Sequence, residues 1–358
     1  MTDDRRLRLR DLGIAPGRFE TGSLNAITDV DGVMVGHVNC HEGERTRTGA
    51  TAILPHGGNV FQDKVPAALA IFNGFGKFAG VSQIAELGEI ETPILLTNTL
   101  SVGRGIEALN RHTLAQAGNE KVVSLNAVVG ETNDSRLNDI RAPRPSVEEM
   151  LSALSSAKSG PVEEGAIGAG SGTVAFGLKG GIGTSSRKAP VSGEVYTLGV
   201  LVQSNYGGTL TIDGMAYRPD DAGTEKHDKD GSIVMIVATD APICSRNLKR
   251  LAERCFGGLA RTGAALSNGS GDYALAFSTH ERLRRTAERR KSVADYPVLS
   301  NDVVSPLFEA VIEATEEAII NSMTMAKTTH GYNAGTGRNQ TVEAISLDAI
   351  SRLARSRQ

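Results

Sequence analysis

The sequence contains no tryptophan, only 4% aromatic residues and three cysteines in 358 residues. With so few large rings, packing must come from aliphatic side chains and from close backbone approach, which the 41 glycines permit. Cys40, Cys244 and Cys255 are odd in number and fall in no CxxC or Cys/His ligand spacing. That pattern excludes a disulfide framework and a structural zinc site and suits reduced thiols. Excess charge is also missing, since 38 Lys plus Arg oppose 41 Asp plus Glu. A nucleic-acid binder needs a basic footprint, so no nucleic-acid partner is expected. No apolar run approaches the ~20 residues that span a bilayer, and the charged start MTDDRRLRLRDLG lacks the apolar centre of a secretory signal. A cytoplasmic protein without membrane contact is the expectation.

What is present is a succession of short apolar runs ended by turn signals. AITDVDGVMVGHV (26–38) reads as a hairpin around Asp31-Gly32, and GATAILP, AALAIFNG, TPILLTN and VVSLNAVVG read as strands. SVEEMLSALSSA (146–157) is a helix: Ser146 and Glu149 form a capping box, and Val147, Met150, Leu151 and Leu154 share a face. Further strands are expected at EVYTLGVLVQSN, SIVMIVAT and DYALAFST, with helices at about 245–262 and 305–327. In the first of these helices Leu248, Leu251, Ala252, Cys255 and Leu259 recur at helical spacing, which makes Cys255 a core residue. No regular βαβ alternation is visible, so the pattern predicts α+β layers with at least one sheet covered by helices. No linker or repeat divides residues 1–358, and one long polar insert, 215–231, is expected to be exposed and mobile.

Three stretches carry possible chemistry. The segment from Gly165 to Arg187 is glycine-rich, but Leu178 stands where a phosphate-binding loop needs lysine; close backbone approach explains it better. His37, His41 and His56 lie among turn residues at no helical metal spacing and are expected as surface or turn histidines, and no GxSxG occurs. The third stretch is HDKDGSIVMIVATDAP (227–242), in which Gly231-Ser232 is either an ordinary turn into a buried strand or a bond the chain cuts in itself. In the second case the serine hydroxyl attacks the unhindered glycine carbonyl, and hydrolysis of the ester frees a new N-terminus. Its α-amino group, with a pKa of roughly 7.7–8.0, can then serve as the general base.

Several segments in fixed order bear on that choice: RDLGI, GSLNAITDVDGVMVGH, RTGATAILP, DKVPAALAIFNGFG, PILLTNTLSVG, LNDIR, GLKGGIGTSSR, LVQSNYG, GSIVMIVATDAP and NGSGDYALAFST. Together the chain resembles the self-processing L-aminopeptidase D-Ala-esterase/amidase and β-peptidyl aminopeptidase family. The resemblance implies a single peptidase domain with a four-layer α/β/β/α sandwich of the N-terminal-nucleophile-like type, shared with ornithine acetyltransferases. It implies self-cleavage at Gly231-Ser232 into residues 1–231 and 232–358, with Ser232 as nucleophile and no metal or cofactor. By the same resemblance Asn205 donates to the oxyanion, Ser270 and Asp272 hydrogen-bond around the nucleophile and its amine, and Glu131 pairs with the substrate's free amino group. The implied substrate is a small peptide, amide or ester with an unblocked amine, and the implied assembly is a homo-oligomer, a tetramer of processed heterodimers.

Four positions depart from the family pattern. Ser135 and Arg136 replace an aromatic Gly-Tyr pair before Leu137, Leu100 replaces a polar residue, and Lys77 stands where an acid is usual. An acetyltransferase on the same fold would use threonine, against which Ser232 argues, while a non-enzymatic reading is an uncleaved binding or scaffold protein.

Overall fold

Residues Ile233 to Ala238 alternate between two apolar surroundings. Ile233, Met235 and Val237 belong to a core shared with Leu248, Leu251 and Ile319, whereas Val234, Ile236 and Ala238 share theirs with Leu96 and Val128. A period-two strand that is apolar on both faces needs a layer on each side.

The computed structural model describes residues 5–217 and 231–356; of the polar insert expected at 215–231, residues 218–230 lie outside the described residues. The strands are β1 (Met34–Glu42), β2 (Thr46–Leu54), β3 (Val65–Gly74), β4 (Glu89–Ile90), β5 (Ile94–Asn98), β6 (Val128–Thr132), β7 (Val174–Ala175) and β8 (Leu178–Lys179). They continue with β9 (Gly181–Val191), β10 (Glu194–Asn205), β11 (Thr211–Ile212), β12 (Met215–Ala216), β13 (Ser232–Thr239), β14 (Gly271–Ser278), β15 (Thr329–Asn333) and β16 (Arg338–Val342). The helices are α1 (Val81–Leu87), α2 (Val102–Leu114), α3 (Val147–Ser155), α4 (Ser245–Arg261), α5 (Ser305–Thr324) and α6 (Leu347–Arg355). One sheet has the order β1-β2-β5-β6 and the other β4-β3-β14-β13-β10-β9, with two-stranded ribbons β7-β8, β11-β12 and β15-β16 beside them. Within the two sheets β5-β6 and β13-β14 pair in parallel.

Three apolar cores separate four layers. Met150 and Leu154 of α3 and Leu109 of α2 pack on Leu95 and Val129 of the first sheet. Ile53, Leu96 and Val128 face Leu201, Val234 and Leu275 between the sheets. Leu248, Leu251 and Cys255 of α4 and Val311 and Ile319 of α5 cover the far side of the second sheet. The result is an α/β/β/α sandwich, the layering expected above. Cys255 is fully buried, and burial pushes its thiol pKa up to about 12. No helix among the described residues is long and apolar enough to cross a membrane.

Local chemistry explains the elements. The Ser146 Oγ accepts from the Glu149 amide at 3.2 Å while the Glu149 carboxylate accepts from the Ser146 amide at 2.7 Å, starting α3. Helix α5 lies so close to β9 that a Cβ on Gly183 would sit 2.0 Å from the Ala318 carbonyl oxygen. On the same strand Arg187 is fully buried and is paired by α5, with Glu317 at 2.7 Å and Glu313 at 3.2 Å.

Three expectations are corrected. Gly32 turns the chain with φ +84°, but Ile27–Asp29 before it is a 3-10 turn. The Asp29 carboxylate accepts from the Leu24 and Ala26 amides at 2.9 and 3.0 Å, a local capture that competes with strand pairing. The hairpin forms later, between β1 and β2 around Gly43. In VVSLNAVVG only the part from Val128 is strand, because β5 begins at Ile94 opposite Val128 and offers no neighbour earlier. The histidines are not all turn or surface residues: His41 is exposed as expected, but His37 is half-buried on β1, and His56, though in a bend, is buried, its Nε2 2.8 Å from the Asp63 carbonyl oxygen.

Candidate active site

Three strand ends meet at Ser232. Asn205, the last residue of β10, lies opposite it in the antiparallel register, and Gly271, the first residue of β14, is its parallel neighbour. The Gly271 N–H donates to Ser232 Oγ at 3.1 Å and to the Gly231 carbonyl oxygen at 3.3 Å. One backbone donor therefore serves both the hydroxyl and the carbonyl beside it. Gly231 has φ +156°, and a Cβ there would lie 2.3 Å from the Asn205 carbonyl oxygen and 2.5 Å from the Tyr206 Cα. Only glycine fits.

The Asn205 side chain is fixed at both ends. Its Oδ1 accepts from the Val174 amide at 2.9 Å and its Nδ2 donates to the Asn133 carbonyl at 3.0 Å, leaving the second Nδ2 hydrogen for another acceptor. Ser270 and Asp272 are buried on either side of Gly271, at the start of the strand beside Ser232. Ser270 Oγ donates to Asp272 Oδ1 at 2.5 Å, while Asp272 Oδ2 is buried with no partner among the described residues. Burial raises the Asp272 carboxyl pKa, and the Ser270 hydroxyl lowers it in part.

Glu131 approaches from the other sheet, on β6. Its Oε1 accepts from the Lys77 amide at 2.8 Å and its Oε2 from the Thr99 hydroxyl. Burial raises its pKa, against the Thr99 and Lys77 hydrogen bonds and the Lys77 charge, which lower it. A cleft of about 220 Å³ brings Glu131, Asn205, Gly231 and Ser232 together, with Lys77 and Arg136 on its wall. Ser270 and Asp272 are not part of that lining. Leu100 is an exposed neighbour of the lining residue Thr99. A larger hollow of about 790 Å³ beside Arg18, Pro190 and Val195 contains no candidate nucleophile.

Sequence reasoning missed two residues. Gly271 is one, because a donor supplied by the backbone leaves no mark on residue type. Lys179 is the other: fully buried, its Nζ donates to the carbonyls of Gly170, Thr173 and Gly180 at 2.8–2.9 Å. Burial pushes its pKa down to about 7, against the nearby Asp134 charge, which raises it. It thereby clamps the segment whose Val174 amide holds Asn205. The signal was available, since Lys179 is the only charged residue between Gly165 and Arg187.

The sandwich, with strands of both sheets converging on this cleft, has the layering of the N-terminal-nucleophile hydrolase-like fold. Residues 25–336 match the model of peptidase family S58, and the chain belongs to that family. It is 36% identical over 381 residues to the β-peptidyl aminopeptidase BapA of Sphingosinicella xenopeptidilytica, covering 98% of this chain and 91% of that protein. Among solved structures, a protein of Pyrococcus horikoshii OT3 is 44% identical with a TM-score of 0.90, over 98% of this chain and 99% of that one. The L-aminopeptidase D-Ala-esterase/amidase of Ochrobactrum anthropi, a prototype for the serine aminopeptidases and a variant of the Ntn hydrolase fold, is 34% identical with a TM-score of 0.90, over 98% of both chains. The chain is accordingly a peptidase.

Proposed function

We propose that this chain is a self-processing serine aminopeptidase of the cytoplasm. Ser232 Oγ attacks the Gly231 carbonyl carbon, the C–N bond breaks, and water hydrolyses the ester to leave a Gly231 carboxylate and a free Ser232 amine. The products are residues 1–231 and 232–358, which remain together and assemble into a tetramer of processed heterodimers. The observation that carries this reading is the Gly271 N–H shared between Ser232 Oγ and the carbonyl of a position where only glycine fits. A donor aimed where negative charge develops is commonly the largest single contribution in acyl transfer.

In the mature enzyme the same atoms act on a substrate. Its ammonium pairs with Glu131, and Ser232 Oγ attacks the acyl carbonyl while passing its proton to the Ser232 α-amine. Asn205 Nδ2 and the Gly271 N–H stabilise the oxyanion; the scissile C–N or C–O bond breaks as the Ser232 ammonium returns the proton to the leaving amine or alcohol, and water then hydrolyses the ester to release the acyl group. Asp272 Oδ2, buried and unpartnered among the described residues, is suited to accept from the amine formed by the cut, with Ser270 orienting its carboxylate. Because Glu131 needs a cation opposite it, the substrates are short peptides, amides or esters with a free α- or β-amino group.

Intact-mass analysis of the protein and of Ser232→Ala tests the reading. The expected result is two fragments split after Gly231 from the first and one whole chain from the second. A parent chain that stays whole through prolonged incubation would instead support an uncleaved binding or scaffold protein.

A further inference from the structure

Two cations share the wall of the candidate cleft with one carboxylate. Lys77 and Arg136 line it with Glu131, and no other lining residue is charged. Among the described residues neither Lys77 nor Arg136 has its side-chain charge in an ion pair, although Glu164, Glu313 and Glu317 each hold an arginine elsewhere. Lys77 donates its amide to Glu131 Oε1 at 2.8 Å, so its side chain departs from the wall beside the carboxylate that receives the substrate amine. Arg136 follows Glu131 by five residues, on the segment leaving β6. An ammonium entering this cleft adds positive charge to a site whose lining already has a positive excess, and a like-charge surplus opposes binding.

From this, and resting on the aminopeptidase reading above, we infer that Lys77 and Arg136 select substrates whose N-terminal residue carries a carboxylate next to its free amine. The amine meets Glu131 and the carboxylate meets the two cations, so the bound residue brings both signs of charge. Two substrate types present this chemistry: an α-aspartyl group, with the carboxylate on the side chain, and a β-aspartyl group, with the α-carboxylate free and the side-chain carbonyl attacked. An acid at position 77 would repel the substrate carboxylate that lysine attracts.

The test uses the processed enzyme and four p-nitroanilides, α-aspartyl, β-aspartyl, alanyl and β-alanyl, which offer no other carboxylate. The expected kcat/KM ratio of aspartyl to its neutral counterpart is on the order of tenfold, about 1.4 kcal/mol, in the α pair, the β pair or both, which identifies the linkage preferred. In the double variant Lys77→Gln/Arg136→Gln the ratio falls to unity or below. Since the contact is ionic and open to solvent, the ratio in the unmodified enzyme also falls as salt rises from 0.05 to 0.5 M, on the order of the screening expected over this range; this arm stands even if the double variant does not fold. Cleavage of the alanyl or β-alanyl substrate with both aspartyl ratios at or below unity overturns this inference and leaves the aminopeptidase reading intact. No turnover of any of the four overturns both.

Discussion

Replacing Gly231 with alanine tests the geometry of the cut more sharply than removing the nucleophile. The added methyl would lie 2.3 Å from the Asn205 carbonyl oxygen and 2.5 Å from the Tyr206 Cα. To regain the ~3.5 Å of ordinary contact, the chain must separate from Asn205 by about 1 Å. Overpacking of this kind costs about 1–3 kcal/mol, which the fold survives. A displacement of about 1 Å between reacting groups, however, costs on the order of 100-fold in rate. Gly193 supplies the control, because it has φ +88° and no atom within 4 Å of its added Cβ. Alanine there costs about 1–2 kcal/mol of backbone strain in the turn between β9 and β10. Time-resolved intact mass after a short pulse of expression gives the half-life of the uncut chain. Gly193→Ala should match the parent and Gly231→Ala should be slower by on the order of 100-fold. Equal half-lives for the two variants would refute the argument that the register of Ser232 against Asn205 sets the rate.

Lys179→Met removes three buried hydrogen bonds that clamp the segment presenting Val174 to Asn205; as a positioning change it should lower kcat by about 10- to 100-fold while KM stays near the parent value in steady-state kinetics. Arg187→Met leaves Glu313 and Glu317 facing each other across a buried site and should cost about 3–5 kcal/mol in urea unfolding, with part of the loss recovered by adding Glu317→Gln. Glu317 is desolvated, yet Arg187 and Arg10 hold its pKa below the ordinary value. Its contribution is therefore present above the unfolded pKa and lost as pH falls through the folded one, so unfolding curves of the parent and of Arg187→Met should converge in acid. Glu131 has the opposite shift, raised by burial. Its carboxyl becomes neutral at a higher pH than a free glutamic acid, so kcat/KM for amine-bearing substrates should show, on the acid side and beyond the limb set by the Ser232 amine, a second proton-dependent fall above pH ~4.3, while Glu131→Gln loses that second fall.

The strands that carry the site were readable from sequence wherever both faces are apolar: SIVMIVAT and DYALAFST coincide with β13 and β14 to within a residue. The capping box placed the start of α3 for a similar reason, because it is a contact between residues three apart. Layer order was not readable in this way. Whether α3 covers Leu95 of the first sheet or Val237 of the second is decided by contacts between distant segments, and periodicity is the same in either case. The misplaced hairpin shows a local failure, since the turn signal at Asp31-Gly32 was sound and the Asp29 carboxylate captured the strand before it. At the site, Gly231-Ser232 was visible as one of two alternatives, and the partners Asn205, Ser270, Asp272 and Glu131 were supplied by family resemblance. The Gly271 amide appears only when distant backbone is brought together, whereas the Lys179 clamp left a trace in the sequence as a lone charge among glycines.

The second sheet has the order β4-β3-β14-β13-β10-β9. Its two inner strands come from the segment after Gly231 and its four outer strands from the segment before it. Under the proposed cleavage, that β-sheet is completed only by two separate molecules, and neither fragment carries a whole copy of it. An uncut chain refolds at a rate independent of concentration. A chain cut as proposed, once denatured, must instead recover through a second-order encounter, which slows with dilution.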